Sequence, residues 1–134
     1  MGPNLTFDTG ALIAFESRRA NLLKIIATAT EDGKIISVPQ IVLAEWWRGW
    51  SRERALILRS VRVDPLTDRQ AQAAGEALAS LGEDTARKGA KLTIDALVMA
   101  SAAAGRGDIV YTSDPEDLER LREFFKSVKR IERV

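Results

Sequence analysis

A chain of 134 residues is predicted to form a single domain, spanning residues 1–134, that is large enough to bury its own hydrophobic core. Cysteine and histidine are both absent, which excludes disulfides, thiolate and imidazole metal sites, cysteine nucleophiles and Ser-His-Asp catalysis. The 20 lysines and arginines nearly balance the 19 acidic residues, so bulk positive charge is not what would bring this chain to nucleic acid.

Short β-branched runs alternate with stretches of helical periodicity along the whole chain. Five strands are predicted, at residues 5–8, 34–38, 61–63, 108–112 and 128–134. Helices are predicted between them at residues 22–29, 40–48, 52–59, 68–81, 92–104 and 115–125. Thr9-Gly10 is interpreted as a break after the first strand, and residues 83–91, which are polar and include Gly89, as a loop.

Strands separated by helices need crossover connections, and these connections produce a largely parallel sheet with helices on both faces. The predicted fold class is therefore α/β, with a mostly parallel sheet of about five strands and the polar last strand at an edge. Such sheets bind ligands beyond the carboxyl ends of their strands, where the strand order reverses. Asp8 closes the first strand and Asp114 follows the fourth, so both are expected at that edge.

Four acidic residues, Asp8, Glu45, Asp95 and Asp114, interrupt apolar stretches of the sequence. A lone carboxylate in such surroundings is costly to bury unless it is paired or bound to a metal. A divalent cation at the carboxyl edge of the sheet would explain all four, because Mg²⁺ and Mn²⁺ prefer hard oxygen ligands. Structural roles are an alternative for three of them: Asp8 and Asp114 as helix N-caps, and Glu45 as the ion-pair partner of Arg48.

The order and spacing of these acids resemble those of the PIN domain, over the chain from Leu5 to about Val134. The segments that carry the resemblance are Asp8-Thr9, Glu45 after Pro39, Asp95 in the run DALVMA, and Thr112-Ser113-Asp114 with Asp117. More narrowly, the length of the chain and the placement of these motifs along it resemble those of the VapC toxins of bacterial toxin–antitoxin pairs.

The resemblance implies a three-layer α/β/α fold and a Mg²⁺- or Mn²⁺-dependent endoribonuclease that acts as the toxin of such a pair. Carried over residue by residue, it assigns a catalytic set of Asp8, Glu45, Asp95, Asp114 and Thr112, and metal ligands at Asp8, Asp95, Asp114 and Asp117. In such a site a metal-activated water attacks the phosphodiester and leaves 5′-phosphate and 3′-hydroxyl ends. The alternative is a PIN-like module that binds RNA or a protein partner without cleaving, against which a complete acidic set argues.

Basic residues follow Glu45 in the sequence, and others precede Asp95. They are predicted to hold RNA phosphates, with ordinary solvated surface charge as the alternative. The residues concerned are Arg48, Arg52, Arg87, Lys88 and Lys91.

Three tryptophans, Trp46, Trp47 and Trp50, lie close together in the sequence. Successive helical residues cannot all face one core, so at least one of the three is expected at the surface or at an interface. Base stacking, partner docking and homodimer packing are the functional roles available to an exposed tryptophan here. A homodimer is expected, and the toxin resemblance implies a VapB-like antitoxin, which we expect to pack against residues 40–52.

No apolar run approaches the ~20 residues that span a bilayer, and the amino terminus lacks the basic and apolar regions of a signal peptide. A cytoplasmic protein without membrane contact is therefore expected.

Overall fold

The computed structural model describes residues 3–82, 84–105 and 108–134, and of residues 84–88 it describes the backbone alone. Its strands are β1 (Leu5–Phe7), β2 (Ile36–Pro39), β3 (Arg62–Asp64), β4 (Ile109–Thr112) and β5 (Arg130–Arg133). Its α-helices are α1 (Thr9–Glu16), α2 (Ala20–Glu31), α3 (Gln40–Trp46), α4 (Arg52–Ser60), α5 (Asp68–Leu81), α6 (Asp84–Ala104) and α7 (Pro115–Leu121), and a 3₁₀-helix covers Arg122–Phe124.

The strands form one sheet in the order β3-β2-β1-β4-β5, and every pairing is parallel. β2 and β3 lie on one side of β1 in the sheet. After β3 the chain crosses over, and β4 and β5 lie on the other side of β1. The strand order therefore reverses between β1 and β4, which is where a sheet of this kind opens a crevice for a ligand. This architecture confirms the predicted three-layer α/β/α fold, and β5 lies at a sheet edge as predicted.

The hydrophobic core includes the neighbouring strands β1 and β4 and helix α6. Phe7 of β1 and Tyr111 of β4 are register partners whose rings meet edge to face, with centroids 5.7 Å apart. Helix α6 packs against β2 and β4 and buries Leu92, Val98 and Met99 completely. The sequence prediction of a buried helix after residue 91 is thereby confirmed.

Helix α1 begins at Thr9, where the sequence pattern predicts a break. The Asp8 carboxylate caps this helix by accepting a hydrogen bond of 2.9 Å from the backbone N–H of Ala11. Gly10 is needed for a different reason, since a Cβ there would lie 2.2 Å from Oγ and 2.9 Å from Cβ of Ser113. The glycine therefore lets the loop after β4 approach the helix, and its interpretation as a break is wrong.

Replacing Gly10 by alanine is expected to destabilise the protein by about 1–3 kcal/mol, the usual cost of overpacking a tight contact. Rotating the Ser113 hydroxyl does not relieve the clash, because the new Cβ would also lie 3.0 Å from the Ser113 backbone nitrogen. Gly75→Ala is the matched control: Gly75 lies inside α5, and a methyl group there would meet no atom within 4 Å, so alanine is expected to stabilise by about 0.5–1 kcal/mol. Urea unfolding of the two variants checks this, and equal effects would contradict it.

The predicted loop at residues 83–91 is wrong over residues 84–91, because α6 already begins at Asp84, and Glu83 lies outside the described residues. Gly89 departs from helical geometry within it, with φ 54° and ψ −130°, and divides α6 into two segments. The glycine thus breaks helical geometry at its own position only, while its neighbours, which include good helix formers such as Lys91, stay helical. Lys91 consequently lies in the first turn of the second segment rather than in a loop.

Among the helices of the described residues, none is both long enough and apolar enough to cross a membrane.

Candidate active site

A cleft of about 150 Å³ opens at the carboxyl ends of β1 and β4, on either side of the point where the strand order reverses. The polar residues that line it come from four parts of the chain: Asp8 and Thr9 after β1, Glu45 on α3, Lys91 and Asp95 on α6, and Thr112, Ser113 and Asp114 at the end of β4. The structure thus places Asp8, Glu45, Asp95 and Asp114 around one cavity.

Asp8 lines the cleft and also continues the sheet, since its backbone N–H donates to the Tyr111 carbonyl at 3.2 Å. Burial raises the pKa of its carboxyl above the ordinary value, and the negative charge of Glu45 acts in the same direction. Hydrogen bonds from Thr112 and from the backbone of Ala11 oppose that rise in pKa. Capping α1 and facing the cleft are therefore compatible roles for this one carboxylate.

Asp95 is the most electrostatically strained of the cleft acids. Asp95 lies one turn after the fully buried Leu92 in α6 and is itself 9% exposed. Burial raises the pKa of its carboxyl to about 6. The charge and hydrogen bond of Lys91 lower this pKa, whereas the neighbouring Asp8 and Asp117 raise it further. A carboxylate in this setting gains from any additional cation that enters the cleft.

Lys91 places its ammonium among three carboxylates. Its Nζ lies 3.2 Å from Asp95 Oδ2, 3.3 Å from Asp117 Oδ2 and 3.7 Å from Asp114 Oδ2. Interactions with Asp95 and Asp117 raise the pKa of Lys91, although burial alone would lower it. From the sequence, Lys91 is only a candidate for holding RNA phosphates. Its i, i+4 spacing to Asp95 could have predicted the ion pair between them, but only if this segment were taken as helical.

Asp117 contacts the cleft through Lys91 and not directly. Its side chain is 4% exposed, and its other carboxylate oxygen accepts a hydrogen bond of 3.3 Å from Arg120. In this arrangement Asp117 positions Lys91, whereas the family resemblance suggests a direct metal ligand.

Two threonine hydroxyls hold the remaining acids in place. Thr9 donates a hydrogen bond to Oε1 of Glu45, which joins the start of α1 to α3 across the cleft. Thr112 is 1% exposed and bonds to Asp8, while its Oγ1 accepts a 3.1 Å hydrogen bond from the backbone N–H of Asp114. Thr112 thus lies where a hydroxyl is expected from the sequence. Thr9 belongs to the Asp8-Thr9 motif, but the sequence pattern assigns it no role, and the structure gives it one as the partner of Glu45.

The side chains of the cleft are of the chemical type that binds a divalent cation. Among the side chains that the structure describes, no three acidic ones stand close enough together to hold a metal ion as they are arranged. The acidic and hydroxyl side chains of the cleft nevertheless offer hard oxygen donors, the chemistry that Mg²⁺ and Mn²⁺ select. In the described arrangement the Lys91 ammonium supplies the positive charge between these donors.

The PIN domain family profile matches residues 5–123 of the 134-residue chain. The chain belongs to the PIN domain family. PIN domains are typically nucleases, which are hydrolases, and PIN nucleases generally use divalent metal ions. No curated protein matches the chain.

Two of the predicted RNA-binding arginines of this PIN domain, Arg48 and Arg52, do not line the acidic cleft. Arg48 donates from Nη1 to the carbonyls of Ala44 at 3.3 Å and Trp47 at 2.9 Å, so it turns toward its own backbone. Arg52 is exposed and lines a separate groove beside α4. The side chains of Arg87 and Lys88 lie outside the described residues.

The three tryptophans of the PIN domain have three different environments. Trp46 is 5% exposed and donates from Nε1 to Glu16 Oε1 at 3.2 Å, so it is a core residue and its assignment to a partner surface is wrong. Trp47 is half-buried and packs edge to face on Trp46, with ring centroids 6.0 Å apart. Trp50 is 76% exposed, which confirms that at least one of the three lies at the surface.

Proposed function

We propose that this PIN domain is a Mg²⁺- or Mn²⁺-dependent endoribonuclease and the toxin of a toxin–antitoxin pair. The observation that supports the nuclease chemistry is the cleft at the strand-order reversal, where Asp8, Glu45, Asp95 and Asp114 converge. The toxin assignment rests on the resemblance to VapC toxins in chain length and in the placement of the motifs along the chain.

When bound, a divalent ion would supply a Lewis acid that lowers the pKa of a water molecule and offsets charge on the phosphodiester. Asp8, Asp95 and Asp114 would hold the ion through carboxylate oxygens. Glu45, fixed by the Thr9 hydroxyl, would orient the attacking water and receive its proton. Thr112 keeps Asp8 and the backbone of Asp114 in register, so it positions two of the three ligands.

The first test is cleavage itself. The purified protein is incubated with total cellular RNA and, separately, with single-stranded DNA, each with Mg²⁺ or with a chelator. We expect defined RNA fragments with Mg²⁺ only and intact DNA throughout. Equal cleavage with the chelator would contradict metal dependence, and preferential cutting of DNA would contradict the ribonuclease assignment.

A non-catalytic role is favoured by one observation. Lys91 already pairs with Asp95 and Asp114, two carboxylates that the proposed metal site would use, as in a domain whose acids serve only structure. The same experiment separates the two functions, because a binding module retains RNA on a filter without cutting it, whatever metal is added.

A groove bounded by α1, α2 and α4, here the α1–α4 groove, is the surface that we propose for the antitoxin. It encloses about 860 Å³ and combines apolar side chains, including Leu23 at 39% and Leu56 at 51% exposure, with charged ones such as Arg18, Arg52 and Glu53. Exposed apolar surface of this kind is typical of an interface. Because Trp46 is buried, this groove replaces the α3 face as the proposed docking surface.

Binding of a co-expressed antitoxin is expected to slow amide hydrogen exchange in α1, α2 and α4, where the α1–α4 groove would be covered. Hydrogen exchange followed by mass spectrometry, with and without antitoxin, checks this. Unchanged exchange in α4 on antitoxin binding would contradict the proposed surface. A groove that is already protected in the free protein at high concentration, and loses this protection on dilution, would instead support the proposed homodimer there.

A further inference from the structure

One lysine serves three carboxylates at the mouth of the cleft. The Lys91 Nζ lies within 3.2–3.7 Å of one oxygen each of Asp95, Asp114 and Asp117. These acids come from α6, from the loop after β4 and from α7, so one ammonium ties together three parts of the chain. The ammonium donates hydrogen bonds to Asp95 and Asp117 and forms a longer ion pair with Asp114, so its one positive charge faces three carboxylates as a small bound cation would.

The lysine is also placed so that it can leave this position. Its side chain is 53% exposed, whereas the side chains of Asp95 and Asp117 are 13% and 4% exposed. Its four-carbon stem is flexible, so the ammonium can move outward into water while the backbone of α6 stays in place. The two buried acids, in contrast, cannot follow it without unpacking α6 and α7.

We propose that Lys91 is a tethered counter-cation that holds the acidic cleft together in the metal-free protein and competes with the divalent ion for the same carboxylates. The proposal rests on the proposed metal-dependent function, and it explains why the described carboxylates are arranged around an ammonium. Entry of the ion requires Lys91 to withdraw from Asp95 and Asp114. The affinity of this domain for metal is therefore set partly by one lysine that is not a ligand.

The test is Mn²⁺ binding by calorimetry to wild type, to Lys91→Met, which keeps the length of the stem without the charge, and to Lys126→Met. Lys126 is an exposed lysine in the segment before β5, so it serves as the matched control. We expect Lys91→Met to bind Mn²⁺ roughly tenfold more tightly than wild type, and Lys126→Met to bind it equally to wild type. Without metal, Lys91→Met is expected to melt at a lower temperature than wild type, and saturating Mn²⁺ should remove most of that difference.

A measurement on wild type alone covers the case in which Lys91→Met does not fold. Acetylation of individual lysines by acetic anhydride is followed by mass spectrometry, with Lys126 as the internal reference. Addition of Mn²⁺ is expected to speed acetylation of Lys91 several-fold and to leave Lys126 unchanged. Slower or unchanged acetylation of Lys91 would overturn the proposal.

The outcomes separate this inference from the proposed function. Equal or weaker Mn²⁺ binding by Lys91→Met, with clear binding by wild type, overturns the counter-cation role and leaves the metal-dependent function standing. Absence of Mn²⁺ binding in both proteins overturns both. Binding by Lys91→Met alone supports the inference in its strongest form.

Discussion

Asp95→Asn is expected to lower the rate of RNA cleavage at least about 100-fold while the protein remains folded. Loss of a side chain that only supports a metal ligand costs about 10–100-fold in metal affinity or activity, so loss of a ligand is expected to reach or exceed the upper figure. Asparagine keeps the size of the side chain and removes its charge, so the packing of α6 around Leu92 and Val98 is preserved.

The matched control for this variant is Asp68→Asn. Asp68 is an exposed aspartate in the first turn of α5, and its replacement removes the same charge outside the cleft. We expect wild-type cleavage from Asp68→Asn, and far-ultraviolet circular dichroism of both variants establishes that they are folded. Near-wild-type cleavage by folded Asp95→Asn would remove Asp95 from the proposed site.

The same residue predicts an unusual pH dependence of stability. The pKa of Asp95 is about 6 in the folded protein against 3.8 for an unperturbed aspartate, mainly because the carboxyl is buried. Between these two values the folded state binds more protons than the unfolded state, so the contribution of Asp95 to stability rises as the pH falls through 6 toward 4. Above pH 6 the buried charge is a net cost, because Lys91 offsets it only in part while Asp8 and Asp117 add to it.

In metal-free buffer Asp95→Asn is therefore expected to be more stable than wild type at about pH 7.5, by roughly 1–3 kcal/mol. The advantage should shrink as the pH falls through 6 and level off below about pH 3, where the wild-type carboxyl is protonated in both states. Urea unfolding of both proteins with a chelator present, at several pH values, measures this difference. A constant difference across the range would show that Asp95 does not titrate as its burial requires.

Local sequence patterns predict the fold well, and the reasons are visible in particular strands. The apolar runs at β1 and β4 are fully buried on the two sides of the strand-order reversal, so their composition reflects a parallel, doubly covered sheet. Since parallel strands end at a common edge, the sequence alone is enough to place Asp8 and Asp114 together. Asp95 is marked by its apolar neighbours, which do surround it in α6.

Two of the features that the sequence does not predict depend on contacts between distant parts of the chain, and a third is a local contact that a loop-like residue hides. Gly10 resembles a break because the reason for it, the close approach of Ser113, lies about a hundred residues away in sequence. The burial of Trp46 involves a hydrogen bond to Glu16, which spans 30 residues. The link between Lys91 and Asp95 is hidden by Gly89, a residue typical of loops that here breaks helical geometry at a single position.

The chemistry of the RNA ends tests the central claim most directly. A defined single-stranded RNA that the protein cuts is incubated with Mg²⁺, and the products are weighed by mass spectrometry. Hydrolysis in the acidic cleft predicts 5′-phosphate and 3′-hydroxyl ends, with no products when a chelator replaces the metal. Products that end in a 2′,3′-cyclic phosphate, or products formed equally without metal, would contradict it.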